Sequence, residues 1–461
     1  MNSVTDIQEH AKQFLVDEVA KEAEGLRRQR SRKLLLASGT AIAAKALAML
    51  APLITIQVTF NYLGQEVYGL WNTGASFFAL FAYADLGLGS GVATELGKAS
   101  GKENSVEQCR RIISSAYTVL IIVATAILIL FCMIYPLCDW GAFLNAESER
   151  TLALVGGVVL AIVMPRILSI PLSLVQRTQI ALQDGFNSYL WQCVGSILSI
   201  AAVYVINWMD LGSLAIIWAN SMINVFVLLA NTIYYYIFRK RALAPSFSLV
   251  NWETMKRLLR LGLGFFALSF LTNLGLTLDS YIVGVSQNLS EAASYSILYK
   301  VVQVVTAVCT LISNNLWGAN GEAMARGDYS WVKTNTIKMS LLFFVVTLSI
   351  SITVFLFVNP AVTLLLHKNL SFSPFLVSGM CLMQIILATL SPHFMVLNSA
   401  GCVKIQMVLF GAYTPLSFFL KLILCQVYGA SVVPWVGAIC YLMIIVPGVL
   451  FAEKRILAGR V

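Results

Sequence analysis

Charge is what this chain lacks. Of its 461 residues only 11% are charged, while 58% are hydrophobic. A soluble globular domain carries roughly 25% charged residues, so this composition excludes a soluble globule. Histidine is rarer still. His10, His367 and His393 are too scattered for any metal-binding spacing. The nine cysteines include no Cys-x-x-Cys, and Cys132, Cys193, Cys309, Cys381 and Cys440 lie within apolar runs. They read as small packing residues, not as a ligand set or a disulfide framework. No metal, no cofactor and no cleavable signal peptide is expected. The first 33 residues are charged, and the first apolar run is long enough to stay as a span.

What is present is apolar sequence in twelve stretches: 34–60, 68–92, 112–134, 152–174, 189–208, 212–238, 261–285, 292–316, 339–357, 374–395, 406–424 and 432–450. Each is long enough to cross a ~30 Å hydrocarbon core as a helix. Backbone groups in that core must be satisfied internally, and runs of this length mean helices, not a barrel. The expected fold class is all-α, polytopic, with about 12 transmembrane helices.

The scarce bases are unevenly placed. Of 31 Lys and Arg, 25 fall in the two termini and the loops 93–111, 175–188, 239–260, 317–338 and 396–405. The six intervening loops hold two, Arg150 and Lys368, and four more, Lys45, Arg166, Lys300 and Lys421, lie inside spans. The positive-inside rule then places both termini in the cytoplasm. The net charge of +9 belongs to cytoplasmic loops facing anionic lipid, and no nucleic-acid partner is implied.

The most basic interior loop, 239–260, divides the chain into six spans plus six. Four regions follow: a cytoplasmic tail 1–33, a lobe 34–238, an inter-lobe linker 239–260 and a second lobe 261–461. The tail could form a surface helix over residues 3–24 or stay mobile. From Trp252 the linker mixes apolar and basic residues at helical spacing, which predicts an interfacial helix. The halves echo each other at an offset of 226: Leu63 matches Leu289, Gly101 matches Gly327 and Val106 matches Val332. Six spans per half make the repeats parallel, with a cavity between them.

Several segments resemble the polysaccharide-unit flippases (the Wzx type, polysaccharide transporter family) of the multidrug/oligosaccharidyl-lipid/polysaccharide exporter superfamily. They are LGQEVYGLWNTGASFFALFAYADLGLGSGVATELGKASGK (63–102), LTLDSYIVGVSQNLSEAASYSILYK (276–300), QIALQDGFNSYLWQCVG and LNSAGCVKIQMVLFG. The resemblance covers nearly all of the chain after residue 33. It implies two six-helix lobes around a V-shaped central cavity and alternating access. The implied substrate is an undecaprenyl-diphosphate-linked oligosaccharide, such as an O-antigen unit, carried to the outer leaflet of the bacterial inner membrane. It also implies polysaccharide polymerase and chain-length proteins as partners.

Charges inside the bilayer are expensive, so each buried one is a candidate site. Arg166 stands between Pro165 and Pro171 in the inner half of the fourth span. It suits a diphosphate, whose oxygens its planar fork can hold in pairs, or else the backbone carbonyls that the prolines free. Lys45, eleven residues into the first span, is placed near mid-membrane, either lining the cavity or in a structural ion pair. Lys300 is a third substrate-binding candidate. Asp279 is expected at similar depth in the same helical hairpin, so the two are predicted to form a charge pair. Asp85, before Gly87, Gly89 and Gly91, is a candidate for ion coupling or a structural bond. The alternating glycines predict either a close backbone approach or a bend in the helix. Lys421 is expected to snorkel to the outer interface, and His393 to be solvated near the inner one. Trp71, Trp140, Tyr234, Tyr235, Tyr236 and Phe238 are expected in an interfacial belt, with sugar stacking as the alternative.

Three functions compete. A lipid-linked oligosaccharide flippase leads. A cation-coupled multidrug exporter of the same superfamily would favour acids in its cavity, whereas four bases lie in spans against Asp85 and Asp279. A glycan polymerase or ligase would need catalytic groups on a large outer loop. The largest, 135–151, holds one base and no histidine, so the chain is not expected to be an enzyme. The topology predicts residues 61–67 and 135–151 outside and 94–111 and 239–260 inside. In a cysteine-free background, an impermeant thiol reagent added to intact cells should modify a cysteine at position 145 and leave one at 104 untouched. The reverse pattern would overturn the orientation.

Overall fold

The computed structural model describes residues 40–458 apart from 42, 80–86, 100–104, 183 and 367–369. Among these residues there is helix and no strand. The span α1 (Ala43–Leu63) leads into α2 (Gln65–Phe78), α3 (Leu88–Ala99), α4 (Ser105–Ile134) and the short α5 (Trp140–Leu144). Then come α6 (Glu149–Leu172), α7 (Leu174–Ala181), α8 (Gly185–Met209) and α9 (Ser213–Ile233). The second half comprises α10 (Trp252–Thr277), α11 (Asp279–Ser286), α12 (Leu289–Ala325) and α13 (Tyr329–Leu366), followed by α14 (Pro374–Ser399), α15 (Val403–Tyr428), α16 (Val433–Cys440) and α17 (Val446–Leu457). Every predicted apolar stretch contains helix. Nine helices among the described residues are long and apolar enough to cross a membrane, or ten if α10 and α11, bent by 45° at Leu278, count as one. Leu341, Ile352 and Leu356 on α13 are more than half exposed. Such side chains face lipid, and the chain is a multi-pass membrane protein.

Helix starts follow local chemistry. Ser148, Asn251, Asn288 and Ser373 each accept a hydrogen bond from the backbone N–H three residues on, capping α6, α10, α12 and α14. An uncapped first turn leaves N–H groups without partners. The cap at Asn251 also corrects the linker. No separate interfacial helix forms there; Trp252 opens α10, which runs on as the span, because nothing stops it before the bend. The rest of the linker is two single turns tied to α4. The Arg110 Nε donates to the Ala244 carbonyl (2.7 Å), and the Ser246 and Asn251 N–H groups donate to the hydroxyls of Ser114 (2.9 Å) and Ser115 (3.1 Å).

The two lobes meet along a seam. At one end the Gln65 amide donates to the Ser290 carbonyl (3.2 Å), and Asn145 donates to the carbonyls of Gly284 (3.0 Å) and Gln287 (3.3 Å). Gly69 on α2 lies so close to α12 that a Cβ there would sit 1.8 Å from the Leu289 carbonyl oxygen. Thus the two turns that echo each other, after Leu63 and at Leu289, lie side by side. At the other end Gly87, with φ +67°, lets α10 approach until a Cβ would be 2.3 Å from the Gly262 carbonyl oxygen. The predicted close approach at the glycine run is real at that residue.

Three aromatic expectations are corrected. Tyr235 and Tyr236 are buried, the latter edge-on to Tyr117 of α4, because a π-helical turn over Tyr234–Arg239 swings them inward. Trp71 turns inward, its ring 5.9 Å from the Lys300 Nζ.

Gly69→Val should push the lobes apart at the seam, a strain of about 3 kcal/mol, since backbone cannot yield as a side chain does. Thermal melting in detergent should show it as a clear loss. Gly321→Ala on α12, with nothing within 4 Å, should be neutral or stabilising. Equal melting of both variants would refute the close seam.

Candidate functional site

A cavity of about 750 Å³ lies among α1, α2, α6, α7, α8 and α9, and among the described residues Lys300 of α12 is the only lining residue from the second half of the chain. Three bases line it: Arg166, Arg177 and Lys300. No described lining residue is Asp or Glu. Its walls carry hydroxyls and amides, among them Thr55, Ser169, Gln192, Ser196, Asn220 and Asn224, with Trp71 and Trp191 as aromatic faces. These polar residues recur every three or four positions within otherwise apolar helices, so each helix turns one polar stripe inward.

The bases are staggered in depth. At ~1.5 Å per residue, Lys300 is about 16 Å along α12 from its start at Leu289 and Arg166 about 25 Å along α6 from Glu149. Arg177 is roughly 16 Å beyond Arg166, on α7 past the break at Ser173. Pro165 and Pro171 have no N–H for the Ala161 and Ile167 carbonyls four residues earlier. Near the break the Ser169 and Ser173 hydroxyls donate to other carbonyls, those of Pro165 (2.7 Å) and Ile170 (2.9 Å). Arg177 is exposed to the cavity and packs over Gly89, where a Cβ would meet its Nε at 2.8 Å. It was counted above as an ordinary loop base. The polar stripe Arg166, Ser169, Ser173 and Arg177, continuing past the predicted end of the span, is the signal that marks it.

Lys300 does not pair with Asp279. Its Nζ donates to the Tyr68 hydroxyl and to the Asn72 Oδ1, both at 2.8 Å. Asp279 instead accepts from Lys421 Nζ (2.6 Å) and from the Tyr295 hydroxyl (3.0 Å). Tyr295 occupies the face of α12 toward Asp279. Lys300, five residues on, lies about 140° around the helix and faces α2. Nor does Lys421 snorkel: its side chain is 2% exposed, because it already has a carboxylate at its own depth. His393 is not solvated either. Its Nδ1 lies 2.5 Å from Glu453 Oε2 and its Nε2 3.3 Å from the Ser340 hydroxyl.

Lys45 is exposed, one turn before Ala48 on the face of α1 that lines the cavity. It is 18 residues, about 27 Å of helix, from Leu63, where α1 ends three residues past the predicted apolar stretch. Asp85 lies outside the described residues.

Breaking a buried ion pair strands a charge and costs about 3–5 kcal/mol, whereas removing both partners is tolerated. Asp279→Leu or Lys421→Met alone should therefore lower thermal stability sharply, and the double variant should recover most of it. Independent, additive losses would refute the pair.

A comparison with curated proteins finds no sequence match. In fold the chain is similar to an inward-facing multidrug resistance MATE family transporter of the MOP superfamily. That similarity has 14% identity and a TM-score of 0.72 over 92% of this chain and 98% of that one. It is similar to a MOP superfamily transporter from Pyrococcus furiosus, described by a reverse polarity of its binding pocket, at 14% identity and a TM-score of 0.67 over 94% and 96% of the two chains. It is also similar to the lipid II flippase MurJ in an inward closed conformation, at 15% identity and a TM-score of 0.66 over 91% and 87%. The fold is thus shared with these transporters and with the flippase, two helical lobes. The family profile described as "Polysaccharide biosynthesis protein" matches residues 35–315, more than half of the chain, and the protein belongs to that family.

Proposed function

We propose that this protein flips a polyprenyl-diphosphate-linked oligosaccharide, an O-antigen or related repeat unit, from the cytoplasmic to the outer leaflet of a bacterial inner membrane. One observation carries the proposal: the cavity holds three bases and no described acid. Such a cavity is positive along its length and attracts an anion. A diphosphate satisfies the bases, and the sugar hydroxyls meet the amides and hydroxyls of the walls. Arg177 meets the headgroup near the cytoplasmic mouth, and Arg166 holds the diphosphate deeper in, with Lys300 farther along. Alternating access of the two lobes moves the load, and both termini stay in the cytoplasm. The fold similarity to the lipid II flippase MurJ and the membership of the polysaccharide biosynthesis family support the same reading.

A cation-coupled multidrug exporter fits the fold equally, since the chain is also similar to MATE transporters. The absence of acids among the described lining residues disfavours a cationic drug in this cavity. Catalysis has no support from the cavity, where no nucleophile stands beside a histidine or carboxylate among the described lining residues.

Loss of a charge-assisted contact should weaken binding by about 1.5–3 kcal/mol, roughly ten- to hundredfold. Arg166→Ala should therefore abolish surface glycan in cells while the protein stays in the membrane, and lipid-linked sugar should accumulate. Arg166→Lys should retain part of the export, because the charge stays and the planar fork is lost. Export at the unaltered level by Arg166→Ala would sink the assignment. Loss of the protein itself would point to a structural role.

A further inference from the structure

We propose that Lys300 is a latch between the lobes that an anion releases: a phosphate group in the cavity draws its ammonium off Tyr68 and Asn72 and loosens the outer seam. This rests on the anionic substrate proposed above and adds how its arrival is sensed.

Lys300 belongs to one lobe and bonds to the other. Its two acceptors, the Tyr68 hydroxyl and the Asn72 carbonyl oxygen, stand on α2 at 2.8 Å. Asn72 is aimed there because its own amide donates to the Tyr68 carbonyl (2.7 Å). The rings of Tyr68 and Trp71 lie 4.9 and 5.9 Å from the same nitrogen. Every one of these partners is neutral. Lys421 differs, since a carboxylate holds it and no arriving anion gains by drawing it away.

An ammonium has three donors, and two are engaged here. Lys300 also lines the cavity that it shares with Arg166. The bonds to Tyr68 and Asn72 already have an ionised donor, but a phosphate oxygen adds its own charge and so an ion–ion attraction, and it outcompetes a phenol and an amide for this group. The seam just outside Lys300 is held by neutral contacts: Gln65 to Ser290, Asn145 to Gly284, and Gly69 against the Leu289 backbone. Lys300 is thus the charged member of this end of the seam, and its release leaves neutral bonds there, while the Arg257–Glu95 salt bridge (2.9 Å) still holds the other end. A ligand shifts such an equilibrium only by interacting differently with the two states, and an anion does so through this one side chain.

The test uses the full chain in nanodiscs, with its native cysteines replaced and spin labels at Leu211 and Tyr428. Both residues are exposed, at the outer ends of α8 and α15. Farnesyl diphosphate is the probe and farnesol its control. Binding is followed by quenching of Trp71 and Trp191 fluorescence, and the label separation by pulsed electron resonance. Farnesyl diphosphate should raise the long-distance population at least threefold, and farnesol should not. Lys300→Met should show that population without any ligand and not respond further, while Lys300→Arg should respond as the unaltered chain does. Binding with unchanged or shortened distances overturns the latch and leaves the anionic cavity standing. Failure of farnesyl diphosphate to bind at all overturns the cavity reading, and the latch with it. If Lys300→Met does not fold, the unaltered chain with and without probe decides.

Discussion

The structure depends on the cost of holding charge in hydrocarbon. A lysine, arginine or aspartate at the centre of a span costs roughly 2.5–3.5 kcal/mol even on the mildest scale. This chain meets that cost in two ways. In the second lobe, buried ionisable groups meet polar partners at their own depth. Asp279 holds Lys421 and Tyr295, and His393 meets Glu453 and Ser340. In the first lobe, Arg166 and Arg177 line a cavity whose described walls also carry amides, hydroxyls and aromatic rings. Under the proposed function, these bases receive the anionic substrate.

Close helix contact is the second constraint, and it bears on the first. Lipid offers helices no hydrophobic reason to associate, so van der Waals fit must hold the lobes together. Gly69 and Gly87 supply that fit at opposite ends of the seam by having no Cβ. The same close approach brings α12 near enough for Lys300 to reach α2. Without it Lys300 would face its own lobe, and the cavity would hold only the two arginines.

Much of the fold was legible in the sequence. The length of the apolar stretches and the one-sided placement of bases are properties of single segments, and segments obey the bilayer before they meet one another. The candidate bases Arg166 and Lys300 were legible for a related reason: a charge in an apolar span is rare enough to stand out. The partners were not. Asp279 matched Lys300 in depth and hairpin position, yet Tyr295 took that face of α12. Lys421 looked free to snorkel because the closeness of α11 to α15 is a fact of packing across 142 residues of chain. Arg177 was hidden by a span boundary placed a few residues early, although a polar stripe ran past it.

By itself the sequence determined that this is a membrane protein, where its helices run and which residues carry charge into the bilayer. Those follow from composition and spacing, since burying an unpaired backbone or charged group in lipid is penalised wherever it occurs. Only the tertiary structure decided which charge meets which, that Arg166, Arg177 and Lys300 share one cavity, and that Lys300 ties the lobes through neutral partners. Such matters depend on the rotation of each helix about its axis and on neighbours distant in the chain. A residue's partner is set by the faces that pack together, and no spacing along one helix encodes the face of another.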